Sequence, residues 1–392
     1  MSAPCQTKLG WQSAWFCLLV TAGWVRAEGA ADPPNNLPVL INVEQVRQLT
    51  PEEAKRRYPV KVRGVVTHRD AAWGYMFIQD STAGIFVWPA KSNLDVQPGE
   101  LAEVTGYSAP GDFAPMIDNA QVEKKGLGQL PVPLKEVYEH LMSGKEDSQW
   151  VELRGVVRSV SVKDGHLLMN IATTGGRFDA TIPDFEDKTP PAGLVDAAVR
   201  IRGACGTVFN QKRQLVGIKL FTQSLKDIII EEPAPDDPFT LPVQKIGGLL
   251  QFNLQAASKH RVRVQGVVTH RRGNSSLFIQ DETGALQLSQ VEQITLVKTG
   301  ERLDIVGFEA PGALSVILQN PTVRRIGSGT RPVPVRTTAR ELQQGVLDSE
   351  LVQVEALLID CQPGSFDHSL AMQSGRFIFN ASLENSKAGK KL

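Results

Sequence analysis

From Val60 onward apolar and polar residues alternate: Val60 and Val62 are separated by Lys61 and Arg63. A period of two is the mark of a half-buried strand, because successive side chains point to opposite faces. The same alternation predicts strands over 73–79, 85–88, 101–106 and 115–122. Gly64 interrupts the first run and predicts a bulge or sharp bend of the kind that lets a small barrel close. Asp80-Ser81-Thr82-Ala83-Gly84 reads as a turn, with Asp and Thr bonding the backbone and Gly taking positive φ. Five short strands with long connections predict a Greek-key barrel of the OB type. Upstream, Thr50-Pro51-Glu52-Glu53 reads as a helix start, since Thr caps, Pro suits the first helical position and acids favour the N-terminal dipole.

This pattern returns. VRGVVTHRDAAWGYMFIQDSTAGIFV, beginning at Val62, is echoed by VQGVVTHRRGNSSLFIQDETGALQL, beginning at Val264. Beyond the first hairpin the correspondence keeps a constant offset of 201, carrying Gly99 to Gly300, Gly106 to Gly307 and Pro131 to Pro332. Between the copies, WVELRGVV from Trp150 restates VKVRGVV. Strands are expected there over 150–157, 167–172, 177–182, 198–203 and 214–220. An amphipathic helix carrying Leu134, Val137, Tyr138, Leu141 and Met142, stopped by Gly144, is expected before it. Self-similarity at this spacing indicates a repeat architecture. The unit of duplication is a pair of barrels.

The expected fold class is therefore mainly β: tandem OB-fold-like five-stranded barrels, three complete and a fourth truncated, with short linking helices. The divisions are 1–27, a signal peptide; 28–58, a linker and short helix; and 59–130, the first barrel. A helix and second barrel follow over 131–230, and a Pro-rich linker with a helix over 231–260. The third barrel spans 261–330, and 331–392 holds a helix and the incomplete fourth barrel.

Residues 1–27 have the pattern of a secretory signal: Lys8, an apolar run of 12 residues from Ala14 to Val25, and Ala27 at the cleavage position. The expected localisation is the periplasm or another extracytoplasmic face, with any membrane attachment lying in sequence outside this chain. Basic and acidic residues balance at 42 each, which argues against a general electrostatic hold on nucleic acid. Cys205 and Cys361 fall at non-equivalent points of the repeat and are expected to be separate buried thiols rather than a bridge.

No catalytic constellation stands out. The sequence has no GxxxxGK[ST], HExxH or CxxC motif, so no cofactor, metal site or enzymatic activity is expected. His68 and His270 are equivalent and read as structural or solvent-facing. Asp80 and Asp281 read as hairpin caps. What remains is an aromatic set. Trp73, Tyr75 and Phe77 share one parity of the second strand, and Phe86 and Trp88 alternate on the third. The other parity, Met76, Ile78, Ile85 and Val87, stays apolar in the third barrel and reads as core. The aromatic parity becomes Ser276, Phe278, Gln287 and Ser289, so it is the outer face. Such rings either stack on a planar ligand or pack against a neighbouring barrel. The candidate ligand residues are Trp73, Tyr75, Phe77, Phe86 and Trp88, with Lys61 and Arg63 on the adjacent strand to steer an anionic group.

The motifs GVVTHR…FIQD-x-T-x-G, PGE…EVTGYSAPGDFAP and EDSQWVELRGVV resemble a family of tandem OB-like modules. These stand at the N-terminus of bacterial membrane sensor histidine kinases and related signalling proteins. The resemblance covers roughly residues 40–392 and implies the extracytoplasmic input region of a two-component or related signal-transduction protein. It implies an unknown small ligand or protein partner, with any kinase activity in sequence beyond this chain. The alternative is a secreted OB-fold protein that binds single-stranded nucleic acid, a partner the balanced charge disfavours.

Overall fold

The computed structural model describes residues 37–91, 93–249, 260–273, 276–291, 296–364 and 367–384. The signal-like segment and residues 250–259, a third of the expected linker and helix, lie outside them. Short helices α1 (Val43–Arg47) and α2 (Pro51–Ala54) come first. Thr50 Oγ1 accepts the Glu53 N–H at 3.2 Å, the cap the sequence announced, and the Glu53 carboxylate accepts the Thr50 N–H at 2.8 Å, which makes the cap reciprocal.

Strands β1 (Pro59–Asp70), β2 (Tyr75–Gln79), β3 (Gly84–Pro89), β4 (Glu100–Ala109) and β5 (Met116–Leu127) form a closed barrel in the order β1-β2-β3-β5-β4. Closure works because β1 serves two partners. Its first half, Pro59 to Val65, pairs with β4, and its second half, Val65 to Asp70, pairs with β2. The bulge that bends it falls between Val66 and His68, beyond Gly64. Gly64 has a different reason to be glycine, since a Cβ there would sit 2.9 Å from the Gln79 carbonyl oxygen. Met76, Ile78, Ile85 and Val87 are fully buried in the core, as their parity predicted.

The second module begins with β6 (Leu134–Lys135) and the single turn α3 (Tyr138–Leu141). The expected amphipathic helix is thus mostly replaced, because Leu134 and Lys135 pair in parallel with the next strand instead. Strands β7 (Trp150–Lys163), β8 (His166–Thr173), β9 (Gly176–Ile182), β10 (Ala198–Phe209) and β11 (Leu215–Phe221) close through a β7–β10 pairing. The strand β12 (Ile228–Glu232) adds to β10, so the linker begins later than expected. The third module has β13 (Val243–Gln244), α4 (Ile246–Leu249), β14 (Arg261–Arg272), β15 (Ser276–Gln280), β16 (Ala285–Ser289), β17 (Glu301–Pro311) and β18 (Val316–Ser328). It is closed by β14–β17 pairing. In the fourth, β19 (Val335–Arg336), α5 (Ala339–Leu342) and β20 (Val352–Gln353) precede a three-stranded sheet of β21 (Leu357–Pro363), β22 (Asp367–Ser374) and β23 (Phe377–Glu384).

Two local devices recur in every module. A short segment pairs in parallel with the opening strand, as Leu40 with Val60, β6 with β7, β13 with β14 and β19 with β20. A register shift then bends the strand that pairs into the first hairpin, at Val66/His68, Val157/Ser159, Val268/His270 and Leu358/Asp360. No helix among the described residues is long and apolar enough to cross a membrane. Cys205 is buried and its thiol pKa raised by that burial, whereas Cys361 is exposed rather than buried; both are free.

Candidate functional site

The aromatic face of barrel 1 is a joint. Tyr75 and Phe77 are buried with Ala204 of β10, and Phe86 and Phe221 pack against them. The Phe77 and Phe221 ring centroids are 5.0 Å apart, those of Tyr75 and Phe221 5.6 Å, and those of Phe77 and Phe86 5.2 Å. Barrel 2 therefore covers the centre of the proposed stacking platform. The physical cause is area: such rings gain most when water is excluded from both sides. At the joint, β3 and the segment before β7 also come so close that a Cβ on Gly84 would lie 2.0 Å from the Ser148 carbonyl oxygen.

Behind the rings lies a polar cluster that the sequence did not bring together. Asp70 ends β1 and His166 begins β8, and neither side chain is exposed to solvent. His166 Nε2 is 2.8 Å from Asp70 Oδ2, and its Nδ1 is 2.7 Å from the Asp164 carbonyl oxygen. Both ring nitrogens thus face an oxygen within hydrogen-bond distance. Trp73 stacks on that imidazole at 3.9 Å, and its backbone N–H donates to Asp70 Oδ1 at 2.9 Å. Lys219 Nζ lies 5.1 Å from both the Trp73 and Phe221 ring centroids. His68, also fully buried, is 5.6 Å from Phe221 by ring centroid, and neither of its nitrogens has a hydrogen-bond partner among the described residues. Burial pushes its pKa down to about 3, so the ring is neutral. Burial, with the Asp70 charge second, raises the Tyr75 phenol. Of the five aromatic candidates only Trp73 and Trp88, at 38% and 45% exposure, keep substantial solvent-facing surface.

Lys61 and Arg63 do not belong to this face. They sit on the half of β1 that pairs with β4. There Arg63 Nε lies 2.7 Å from Glu103 Oε2, with Lys61 and Lys125 each 3.6 Å from Oε1. The Arg63 hydrogen bond holds the Glu103 carboxyl below its usual range, with Lys125 and Lys61 assisting. Both basic side chains are more than half exposed and line a groove of about 780 Å³ with Ile41, Asn42, Gly64, Gln79, Asp80, Leu101 and Pro131.

Barrel 3 has the same groove. About 590 Å³ is enclosed by Val243, Gln244, Lys245, Gly266, Gln280, Asp281, Arg302 and Pro332. Its walls explain why both copies keep the same residues. Asp80 Oδ2 accepts the Val43 N–H at 2.8 Å and Oδ1 accepts the Thr82 N–H at 2.7 Å; Asp281 does the same for Ile246 and Thr283 at 3.0 and 2.7 Å. The hairpin cap thus also anchors the preceding helix. Gln79 Oε1 accepts the Trp150 N–H at 2.9 Å, and Gln280 Oε1 the Leu351 N–H at 3.3 Å, tying each groove to the next module. Both aspartates are engaged by these structural bonds.

No family model matches the chain, and no curated protein matches it. Among solved structures, a murine DNA-binding protein bound with double-stranded DNA is similar at 11% identity, covering 45% of this chain and 99% of that one, with a TM-score of 0.21. The tetrameric p202 HIN2 is similar at 13% identity over 50% of this chain and all 100% of that one, with a TM-score of 0.23. An aspartyl tRNA synthetase from Entamoeba histolytica is similar at 10% identity over 45% of this chain and 50% of that one, with a TM-score of 0.23. Similarity this low carries no argument about function. The chain itself is a run of tandem OB-type barrels whose aromatic face is a joint and whose groove is duplicated.

Proposed function

We propose that this protein is a non-catalytic, exported binding region that serves as the extracytoplasmic input of a signal-transduction protein. The duplicated groove carries the reading. Barrels 1 and 3 have diverged on their outer faces, yet each keeps a groove at the same register, walled by Gly64, Gln79, Asp80 and Pro131 in the first and Gly266, Gln280, Asp281 and Pro332 in the second. Each groove carries one lysine and one arginine at non-equivalent positions, Lys61 and Arg63 in the first and Lys245 and Arg302 in the second. A small anionic ligand fits this chemistry, since paired cations beside backbone and amide groups favour a carboxylate or phosphate. The signal-like N-terminus and the motif resemblance supply the export and input roles.

The test is a thermal-shift screen of small carboxylates and phosphates against the whole chain. A hit that Arg63→Ala weakens at least about tenfold, a change of 1.4 kcal/mol, supports the reading. A hit unaffected by both Arg63→Ala and Arg302→Ala removes the grooves as its site. The second reading is single-stranded nucleic-acid binding, favoured by the exposed edges of Trp73 and Trp88. It requires oligonucleotide binding that falls steeply with salt.

A further inference from the structure

We propose that Glu136, His140 and Glu146 form a divalent transition-metal site, with zinc the ion that best matches one imidazole and two carboxylates. Their donor atoms all lie within 4.8 Å of one another. His140 Nδ1 is 2.5 Å from Glu136 Oε2. Around a shared zinc, at roughly 2.0–2.2 Å from each ligand, donors sit roughly 3–3.5 Å apart, so modest side-chain rotation brings all three onto one ion. Calcium takes six to eight oxygens, whereas an imidazole among few ligands favours zinc or its neighbours. Glu136 and Glu146 are half-buried and His140 is exposed, which leaves room for a water ligand.

The local structure departs from the repeat where these residues stand. Helices α1, α2 and α5 each begin with a reciprocal cap, using Asn42 with Gln45, Thr50 with Glu53 and Thr338 with Glu341. Helix α3 has none: Val137 occupies the cap and His140 the position that Glu341 holds in α5. The departure gives module 2 an imidazole four residues after Glu136, and the fourth module has Thr337, Glu341 and Leu347 at the same three places.

The ligand segments are fixed at both ends. The Glu136 N–H donates to the Glu152 carbonyl at 3.2 Å, and the Glu146 carbonyl accepts the Gln149 N–H at 3.2 Å. Next to Glu146, Asp147 pairs with Arg47 at 2.7 Å and the Ser148 N–H donates to the Cys205 carbonyl at 2.6 Å. An ion here staples the turn that enters barrel 2 to the segment that touches the elements before barrel 1.

The experiment titrates the full chain carrying Cys361→Ser, which removes the exposed thiol as a competing ligand, with Zn²⁺ by calorimetry and with Co²⁺ by visible absorption. The expected result is one ion per chain, a Co²⁺ spectrum of low coordination number, and a zinc-induced rise in melting temperature. His140→Ala and Glu146→Gln should each weaken binding at least about tenfold, while Glu341→Gln leaves it unchanged. Absence of binding in the Cys361→Ser chain overturns the proposal. So does unchanged stoichiometry and affinity in His140→Ala, provided its melting temperature without metal matches the parent.

Discussion

Barrels 1 and 3 share a core and differ at the surface. Leu277, Ile279, Leu286 and Leu288 of barrel 3 are fully buried, matching Met76, Ile78, Ile85 and Val87. On the outer face, Tyr75 and Phe77 are buried against Ala204 and Phe221, whereas Phe278 is half-buried. His68 is fully buried and its counterpart His270 is exposed. At the register of Asp70 and His166, which bridge barrels 1 and 2, the second half has Arg272 and Asp367. The same strand pairing thus tolerates two kinds of neighbour. Core parity is an internal requirement of a barrel; the outer face answers to whatever packs on it.

The largest expected difference is in local stability. Modules 2 and 4 share their opening elements, but β21 is exposed along its length and Leu357 and Ile378 are 69% and 63% exposed. Backbone amides of β21–β23 should exchange at least about a hundredfold faster than those of β7–β9, since open edges and little buried apolar area place a segment at the low end of local stability. Equal protection would mean that the fourth sheet is covered in solution.

Next is the joint itself. Phe77→Ala should cost about 3–5 kcal/mol in denaturant unfolding, the range for a buried Phe. Phe278→Ala should cost about 1 kcal/mol, as is typical of a partly exposed side chain. Equal losses would show that barrel 1 does not use its rings for packing.

The third contrast is between the histidines. His68 has a folded pKa of about 3 against an ordinary 6.5. Above pH 6.5 both folded and unfolded states hold it neutral. As pH falls below 6.5 the unfolded chain takes up a proton that the folded joint refuses, so stability declines until about pH 3. At pH 5 the loss is about 2 kcal/mol. His68→Leu should flatten this part of a stability profile measured between pH 7 and 4, and His270→Leu should not. A profile that keeps its slope in His68→Leu would assign the acid sensitivity elsewhere.

The smallest effect is at the rim. Trp88 is 45% exposed and touches Phe86 at 6.0 Å between centroids, so Trp88→Ala should shift stability by about 0.5 kcal/mol or less, like Ser289→Ala at the equivalent position. If Trp88→Ala instead lowers the melting temperature by several degrees, the joint extends to the end of β3.

The sequence by itself determined the repeat, the parity of each core strand, the hairpin caps at Asp80 and Asp281, and the capped turn at Thr50. The repeat is legible as self-similarity along the chain, and each of the others is written in residues no more than a few positions apart, where the two-residue period of a strand and the reach of a short side chain leave little freedom. It placed Trp73, Tyr75, Phe77, Phe86 and Trp88 on one outer face but left open what covers it. Only the tertiary structure decided that. Phe221 meets Phe77 across 144 positions, His166 meets Asp70 across 96, and the Arg69 N–H donates to Gln223 across 154. No local period encodes such pairings. Sequence neighbourhood puts Lys61 and Arg63 beside the aromatic face because they lie on the adjacent strand; the bend at Val66/His68 sends that half of β1 to β4 instead. A strand's alternation fixes which side chains point outward, and the coiling of the whole barrel fixes where outward is.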